Sequence, residues 1–343
     1  MRERQKIGAA VIGLGNFGQL HARAYNENPK SKLVAICDSD ARKLNAASKK
    51  LGIRARRRFT DHMEMLKDLD DEIDVVSIVT PDALHSEMAL EAARRGKHIL
   101  LEKPMCLTLD EADRIIEAVR KYKIRLMVDF ILRFDPRYLK ARENLSRGEI
   151  GEIATLFARR HGVIQFARTH GKFSDLFLST AIHDIDLMLW FACLKPTTVY
   201  AEGTRQILRS KTVDDAIFGI LKFPNGIIGS IDANWTLPES SPSPLESEFR
   251  VVGSRGVINV ASQNQGLWQI ANKNGLKVPD ITFWPVVEDK LLGDLKTAVD
   301  HFVTIVAENK QPLVGPVEGK NALRVALGLK ESASKHQVLN LSW

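Results

Sequence analysis

Short runs of consecutive apolar residues alternate with amphipathic stretches through the first third of the chain. The runs are IGAAVIGL, LVAICD, DVVSIVT, HILLEKP and RLMVDFI, and the stretches at about 16–28, 41–51, 84–95 and 109–121 show helical spacing. Continuous apolar strands that alternate with helices are typical of parallel βαβ units. The pattern therefore predicts an α/β fold that begins with a doubly wound Rossmann domain over residues 1–128.

The pattern changes after about Arg133 to longer segments such as IATLFARRHGVI, AIFGILKF, GIIGSIDANWTL and FRVVGSRGVINV. Turn signals, including the one at 224–226, separate them, which predicts a large, open, mostly antiparallel sheet. Two helical patterns follow, at 290–309 and 317–335. We predict a C-terminal α+β domain over residues 129–343 that binds substrate and mediates oligomerisation.

Composition narrows the functional classes. The 343 residues carry a formal net charge of +7, but basic and acidic residues are interspersed, and no helix-turn-helix, zinc-finger or aromatic-basic motif indicates nucleic-acid binding. The three cysteines are an odd number at wide spacings, which argues against a disulfide framework and favours a cytoplasmic protein. The charged start and the lack of a long uncharged apolar run predict neither a signal peptide nor a membrane span.

A glycine pattern, Gly13-x-Gly15-x-x-Gly18, follows the first predicted strand and opens a helix. Glycines allow a tight turn and a close approach of the backbone to a pyrophosphate, which then faces the helix N-terminus. Protein kinases carry a similar string, but the chain lacks their HRD, DFG and VAIK motifs. We therefore predict a dinucleotide site that includes Asn16 and Phe17.

Asp38 ends the second predicted strand, twenty residues after Gly18. A carboxylate at this place would bind the adenosine ribose hydroxyls and repel a 2′-phosphate, so we predict NAD as the cofactor. NADP stays possible because Arg42, near Ser39, could accommodate a phosphate. The alternative for Asp38 is an exposed carboxylate with no role in binding.

Polar motifs follow the next two strands, at the edge where open α/β sheets bind ligands. The first comprises Thr80, Pro81, Asp82 and His85, and the second begins Glu102-Lys103. We predict that both motifs line the cofactor site. The amine of Lys103 could also polarise a substrate hydroxyl or carbonyl oxygen. A solvated lysine before a helix cap is the alternative.

The ordered motifs GLGNFG, Asp38, TPDxxH, EKP, RFDP (133–136) and HDIDLMLW (183–190), with DHF at 300–302, resemble the Gfo/Idh/MocA family, the glucose-fructose oxidoreductase and inositol dehydrogenase group. The resemblance implies an NAD(P)-dependent dehydrogenase that transfers hydride between nicotinamide and a carbinol carbon of a sugar, sugar derivative or cyclitol, without metal. It implies that Lys103 contacts nicotinamide and substrate and that His183 is the general base. It also implies a homodimer or homotetramer that forms through the C-terminal sheet.

Two departures from the family pattern qualify this expectation. Ser179 stands four residues before His183, where many members have an aspartate, and Ile131 replaces a usual polar residue. Serine can hydrogen-bond an imidazole but cannot offset the charge that the ring gains with a proton. The alternative is a catalytically weak or inactive dinucleotide-binding regulatory or sensor protein of the same fold.

Substrate contacts are less well defined by the sequence. A basic segment at 159–172 precedes the His183 helix and could bind an acidic or phosphorylated sugar, although a solvated surface is an equal alternative. Trp235 could stack on a sugar ring, although an aromatic residue there is more often in the core. The full set of candidate substrate contacts is Lys103, Arg133, Arg160, His170, Ser179, His183 and Trp235.

Overall fold

The computed structural model describes residues 6–169, 171, 174–208, 213–262, 266–271 and 275–343. The chain divides into two compact units. The first comprises Met1–Phe134 with Thr282–Lys320, and the second comprises Asp135–Ile281 with Asn321–Trp343. The chain thus leaves the first unit at Phe134 and returns to it at Thr282, whereas the pattern predicted a single division after residue 128.

The elements are as follows in chain order. The strands are β1 Ile7–Ile12, β2 Ser31–Cys37, β3 Arg58–Phe59, β4 Val75–Ile78, β5 His98–Leu101, β6 Leu126–Val128, β7 Ile153–Val163, β8 Thr198–Thr204, β9 Ala216–Lys222, β10 Ile228–Leu237, β11 Leu245–Gly253, β12 Gly256–Ala261, β13 Gln269–Ala271, β14 Gly275–Lys277, β15 Val286–Val287, β16 Lys290–Leu291 and β17 Leu339–Asn340. The helices are α1 Asn16–Glu27, α2 Ala41–Leu51, α3 His62–Asp68, α4 His85–Arg94, α5 Leu109–Tyr122, α6 Pro136–Ser146, α7 Ile164–Thr169, α8 Ile182–Ala192, α9 Asp294–Ala307 and α10 Pro316–Lys335.

The first unit contains a six-stranded sheet in the order β3-β2-β1-β4-β5-β6. All of its pairings are parallel. The residues of β4 are buried throughout, and β1 is buried from its second residue onward, as expected for strands covered on both faces. This is the strand order of a Rossmann domain, and it confirms the prediction for the first part of the chain.

The segment that returns to the first unit was not assigned there by the sequence pattern. Helix α9 packs against α1, and the Asn28 amide donates to the Asp300 carboxylate at 2.6 Å. The predicted helix at 290–309 begins only at Asp294, because residues 290–291 form β16. A hydrophobic pattern indicates that such a helix is amphipathic, but it does not indicate which unit the helix packs on.

The second unit contains a seven-stranded sheet in the order β12-β11-β7-β10-β9-β8-β17. Among the described residues of this sheet, only the β10–β7 pairing is parallel, which confirms the prediction of a mostly antiparallel sheet. Side chains of β9 alternate strictly between buried and exposed. On the buried face Gly229 lies close to Met188 of α8, and Gly219 lies close to Leu329 of α10.

Among the described residues, no helix is both long enough and apolar enough to cross a lipid bilayer.

Candidate functional site

Each glycine of the turn after β1 occupies its position for a different physical reason. Gly13 has a φ of 90°, and a Cβ there would lie 2.2 Å from the carbonyl oxygen of Val79. A Cβ on Gly18 would lie 1.8 Å from the carbonyl oxygen of Gly13, so helix α1 can approach the strand only with glycine at this position. A Cβ on Gly15 would meet nothing within 4 Å. The space next to Gly15 is therefore open.

The N-terminus of α1 begins at this open space. No side chain of the described residues caps the helix, and its first turn contains no acidic residue. Uncapped N–H groups at a helix N-terminus bind anions, so the turn fits the pyrophosphate of a dinucleotide. Asn16 is exposed and Phe17 is half-buried. The Phe17 ring packs edge-on against Trp284, with centroids 5.0 Å apart.

Asp38 lies beside the glycine turn, as the sequence predicted. Its Oδ2 accepts the backbone N–H of Leu14 at 2.7 Å, and its Oδ1 accepts that of Asp40 at 2.8 Å. Each carboxylate oxygen has a second lone pair, so both oxygens can still accept from a ribose hydroxyl. The side chain of Arg42 is 95% exposed, and its Nε lies 3.5 Å from the Asp40 carboxylate. Ser39 is also exposed.

The motif after β4 contains one correction. Thr80 and Asp82 are half-buried and Pro81 is exposed, so these residues remain candidates for the cofactor site. His85 is fully buried, and its two ring nitrogens hydrogen-bond the carbonyl oxygens of Pro104 at 2.8 Å and Thr80 at 2.9 Å. His85 therefore joins the two strand-end loops, and we do not retain it as a cofactor contact.

Lys103 follows β5 at the same edge of the sheet and is half-buried. Its backbone N–H donates to Glu102 Oε2 at 3.1 Å, and the peptide bond to Pro104 is cis. Since His85 binds the Pro104 carbonyl, contacts fix the backbone on both sides of Lys103.

A buried histidine lies between two carboxylates beside this lysine. His21 Nε2 lies 3.2 Å from Asp129 Oδ2 and 3.5 Å from Glu102 Oε1. Burial alone would lower the pKa of His21, but the Asp129 and Glu102 carboxylates outweigh this effect and raise it to about 9. Burial also raises the pKa of Asp129, while the contact with His21 outweighs burial at Glu102 and lowers its pKa. The geometry thus favours an imidazolium ion between the carboxylates.

Neither His21 nor Asp129 belongs to the motifs that the sequence predicts for the site. The signal for Asp129 was present, because it directly follows β6 just as Asp38 follows β2 and Glu102 follows β5. His21 lies three residues after Gly18 and so faces the same way on α1. Among the described residues, His21, Glu102 and Asp129 also form the group whose spacing could suit a metal ion.

In the second unit, His183 is the second residue of α8 and is half-buried. A π-helical turn, Phe177–Ala181, directly precedes the helix. The expectation that Ser179 lies beside His183 assumed regular α-helical spacing. A π turn has a different residue spacing, so the distance in sequence does not by itself place the hydroxyl next to the ring.

Two candidate substrate contacts in this unit belong to its core. Arg160 is 3% exposed, and its guanidinium binds both oxygens of Asp184, at 2.9 and 2.8 Å. Trp235 is 1% exposed and donates through Nε1 to the Thr180 hydroxyl at 2.9 Å. The sequence indicated a basic segment and an aromatic residue, but it did not indicate that Arg160 would pair with Asp184 or that Trp235 would bond to Thr180. We therefore do not retain Arg160 and Trp235 as substrate contacts.

Two further candidate substrate contacts are Arg133 and His170. Arg133 lies in the first unit and is only 5% exposed, which leaves little of its side chain for a ligand. His170 lies outside the described residues.

Comparisons with known proteins agree with this arrangement. Residues 7–130 match a family model described as an oxidoreductase family with an NAD-binding Rossmann fold, and residues 138–259 match the family's C-terminal domain. A scyllo-inositol 2-dehydrogenase (NAD(+)) of Bacillus subtilis is 28% identical over 337 residues, which cover 95% of this chain and 94% of that protein. An uncharacterised oxidoreductase of the same organism is 33% identical over 236 residues, 66% of this chain and 67% of that protein.

A solved structure supports the same fold. The crystal structure of a myo-inositol 2-dehydrogenase from Lactobacillus plantarum superimposes with a TM-score of 0.83 at 25% sequence identity, covering 98% of this chain and all of that one (100%). The matches confirm the resemblance drawn from the motifs. The chain is an NAD-dependent oxidoreductase of the Gfo/Idh/MocA family.

Proposed function

We propose that this protein is a dehydrogenase that oxidises one ring CH–OH of a cyclitol, an inositol or a close relative, to the ketone with NAD, and that catalyses the reverse reduction. The relatives named as inositol dehydrogenases support the substrate class. The open space beside Gly15 and the Asp38 carboxylate next to it support NAD as the cofactor. When bound, NAD⁺ accepts the hydride that the carbinol carbon loses.

Lys103 is the residue that we assign to the substrate oxygen. The observation that carries the proposal is the fixed backbone of Lys103 at the carboxyl end of β5, in the row of strand ends that also holds the glycine turn. An ammonium group there donates a hydrogen bond to the hydroxyl and stabilises the alkoxide character that develops as hydride leaves.

His183 is the residue that we assign to the proton. Its imidazole accepts the hydroxyl proton during oxidation and returns it during reduction, which suits a group that titrates near neutrality. Ser179 supplies no charge to balance the resulting imidazolium. Replacing a charged partner with a neutral one loses about 1 kcal/mol, so we expect slower turnover than with an aspartate, but not inactivity.

The test is steady-state oxidation of scyllo- and myo-inositol, followed by the absorbance of NADH, for Lys103→Met and His183→Ala. We expect each variant to lose about a hundredfold or more in kcat. Lys121→Met and His336→Ala, which change exposed residues elsewhere in the same units, should keep wild-type rates. Full activity in both Lys103→Met and His183→Ala would overturn the assignment.

The regulatory alternative predicts a different result. A sensor would bind NADH with ordinary affinity and turn over none of a broad panel of cyclitols, sugars and sugar nucleotides. Ser179, in place of an acid, is the feature that favours it. Calorimetric titration with NADH and NADPH, in parallel with the substrate panel, distinguishes the two functions.

The exposed face of the seven-stranded sheet suits a second copy of this chain. Its large apolar side chains include Phe218 (59% exposed), Ile220 (49%) and Ile228 (46%), and together they form an apolar patch that a monomer would leave in water. We propose a homodimer or homotetramer that covers this face. Phe218→Lys should then reduce the mass measured by light scattering, to that of a monomer from a dimer or of a dimer from a tetramer. A wild-type protein that is already monomeric would contradict the proposal.

A further inference from the structure

Four charged side chains, His21, Glu102, Asp129 and Lys103, form a charge cluster in the first unit. They come from α1 and from the residues that follow β5 and β6, so they meet only in the folded sheet. His21 is fully buried and Asp129 is 1% exposed. The proposed reaction uses Lys103 alone and leaves the roles of the other three unexplained.

Glu102 connects the histidine to the lysine through its two oxygens. Oε1 faces His21 Nε2 at 3.5 Å, while Oε2 accepts the backbone N–H of Lys103 at 3.1 Å. The orientation of this carboxylate therefore depends on His21 and determines where the Lys103 backbone lies. Glu102 therefore contacts both His21 and the backbone of Lys103.

The cluster pairs its two carboxylates with the cationic His21 and Lys103. The Lys103 charge acts on both Glu102 and Asp129, and the nearby His85 also acts on Glu102. Two neutral hydroxyls also lie on this side of His21: Ser77 Oγ is 3.2 Å from Nδ1, and the Tyr25 hydroxyl is 2.9 Å from Ser77 Oγ. If His21 lost its charge, the two carboxylates would attract the Lys103 ammonium more strongly, because the medium has a low dielectric constant.

We propose that His21 and Asp129 are positioning residues for Lys103: the imidazolium occupies the two carboxylates, so that the lysine ammonium stays directed to the substrate oxygen. The proposal rests on the proposed function, because the role of Lys103 is assigned there. The cluster positions Lys103 through the balance of charges and not through packing alone.

A double-mutant cycle tests it with His21→Gln, Asp129→Asn and the double variant. Glutamine reaches the position of Nε2 without charge, and asparagine keeps the shape of the aspartate. We expect His21→Gln to lower kcat about tenfold or more, with the KM for NAD within about twofold. The double variant again has one carboxylate for one cation, so it should recover to within about threefold of wild type. A packing role would make the double variant as poor as the worse single variant, or poorer, and would overturn the proposal.

A second measurement needs no substrate. Amine-reactive labelling of Lys103, located by mass spectrometry of peptides, reports how readily the ammonium releases its proton. We expect labelling to be several-fold slower in His21→Gln, faster in Asp129→Asn and close to wild type in the double variant. His98→Gln, at the opposite end of β5, is the matched control and should leave labelling unchanged. Equal labelling in all variants would contradict the proposal.

The two measurements also separate this inference from the proposed function. If the wild-type protein oxidises no cyclitol, the proposed function fails while the labelling cycle still tests the cluster.

Metal analysis of the purified wild-type protein tests whether the cluster binds a metal ion instead. One equivalent of a divalent metal that is lost in Asp129→Asn would overturn the proposal, because His21, Glu102 and Asp129 would then be metal ligands.

Discussion

The carboxylate of Asp38 is hydrogen-bonded to the backbone N–H of Leu14, within the glycine turn, at 2.7 Å. This bond joins the end of β2 to the turn that follows β1. The same carboxylate therefore has two functions. It fixes the turn, and it places a negative charge where the adenosine ribose of a dinucleotide is expected.

Asp38→Asn is expected to weaken selection for NAD. The amide oxygen can still accept the Leu14 N–H, but the amide nitrogen cannot accept the Asp40 N–H. The charge that repels a 2′-phosphate is also lost, together with a charged acceptor for the ribose. A hydrogen bond to a charged group is worth about 1.5 to 3 kcal/mol, so the KM for NAD should rise about tenfold or more and the preference over NADP should shrink. Steady-state kinetics with both cofactors measure the ratio.

Asp40→Asn is the matched control for this variant. Asp40 carries the same charge two residues away, where it caps α2 by accepting the Arg42 N–H, and asparagine caps helices equally well. Its cofactor preference should equal that of the wild type. An unchanged preference in Asp38→Asn would show that Asp38 serves only the turn.

The sequence could predict the residues whose role follows from their place along a strand. Gly13, Gly15, Asp38 and Lys103 each follow a strand of the parallel sheet, and all such ends meet at one edge. The type of sheet in each unit was predictable for a similar reason, because continuous and alternating apolar patterns correspond to covered and half-exposed strands.

Pairings between distant residues could not be predicted in this way. Arg160 was a candidate ligand for an anion until its partner, Asp184, was known, and the charge of His21 depends on carboxylates about 80 and 110 residues further along the chain. Burial and partner choice are properties of tertiary packing, and no local pattern contains them. The same reason explains why α9 was not assigned to the first unit.

The His21 environment predicts how stability depends on pH. The pKa is raised to about 9 in the folded protein, against 6.5 for an ordinary histidine. The folded state therefore holds a proton that the unfolded state releases. This contribution is fully present below pH 6.5 and is lost as pH rises to about 9, and its full size would be about 3 kcal/mol. Urea unfolding at intervals from pH 6.5 to 9.5 should show this decline.

The buried thiols and two other histidines act outside this window. Burial raises the pKa of the Cys37 and Cys106 thiols to about 12, which affects stability above pH 9. Burial lowers the pKa of His98 and His301, which matters below 6.5. His21→Gln should therefore flatten the decline between pH 6.5 and 9, and an equally steep decline in that variant would assign it to another group.

Gly15 and Gly18 predict opposite outcomes for the same substitution. Gly15 has a φ of −61°, which alanine adopts freely, and its added methyl group would extend into open space. Gly15→Ala should thus change the free energy of unfolding of the protein alone by no more than about 1 kcal/mol. The methyl group would nevertheless stand where the backbone must approach the pyrophosphate, so NAD binding should weaken about tenfold or more.

Gly18→Ala should instead destabilise the protein without any ligand. Its Cβ would lie 1.8 Å from the Gly13 carbonyl oxygen, and neither backbone can yield without separating α1 from the strand. We expect a loss of more than about 2 kcal/mol. Urea unfolding without NAD and calorimetric titration with NAD measure the two quantities for both variants. If Gly15→Ala binds NAD as tightly as the wild type, the open space beside Gly15 is not where the pyrophosphate lies, even if Gly18→Ala behaves as expected.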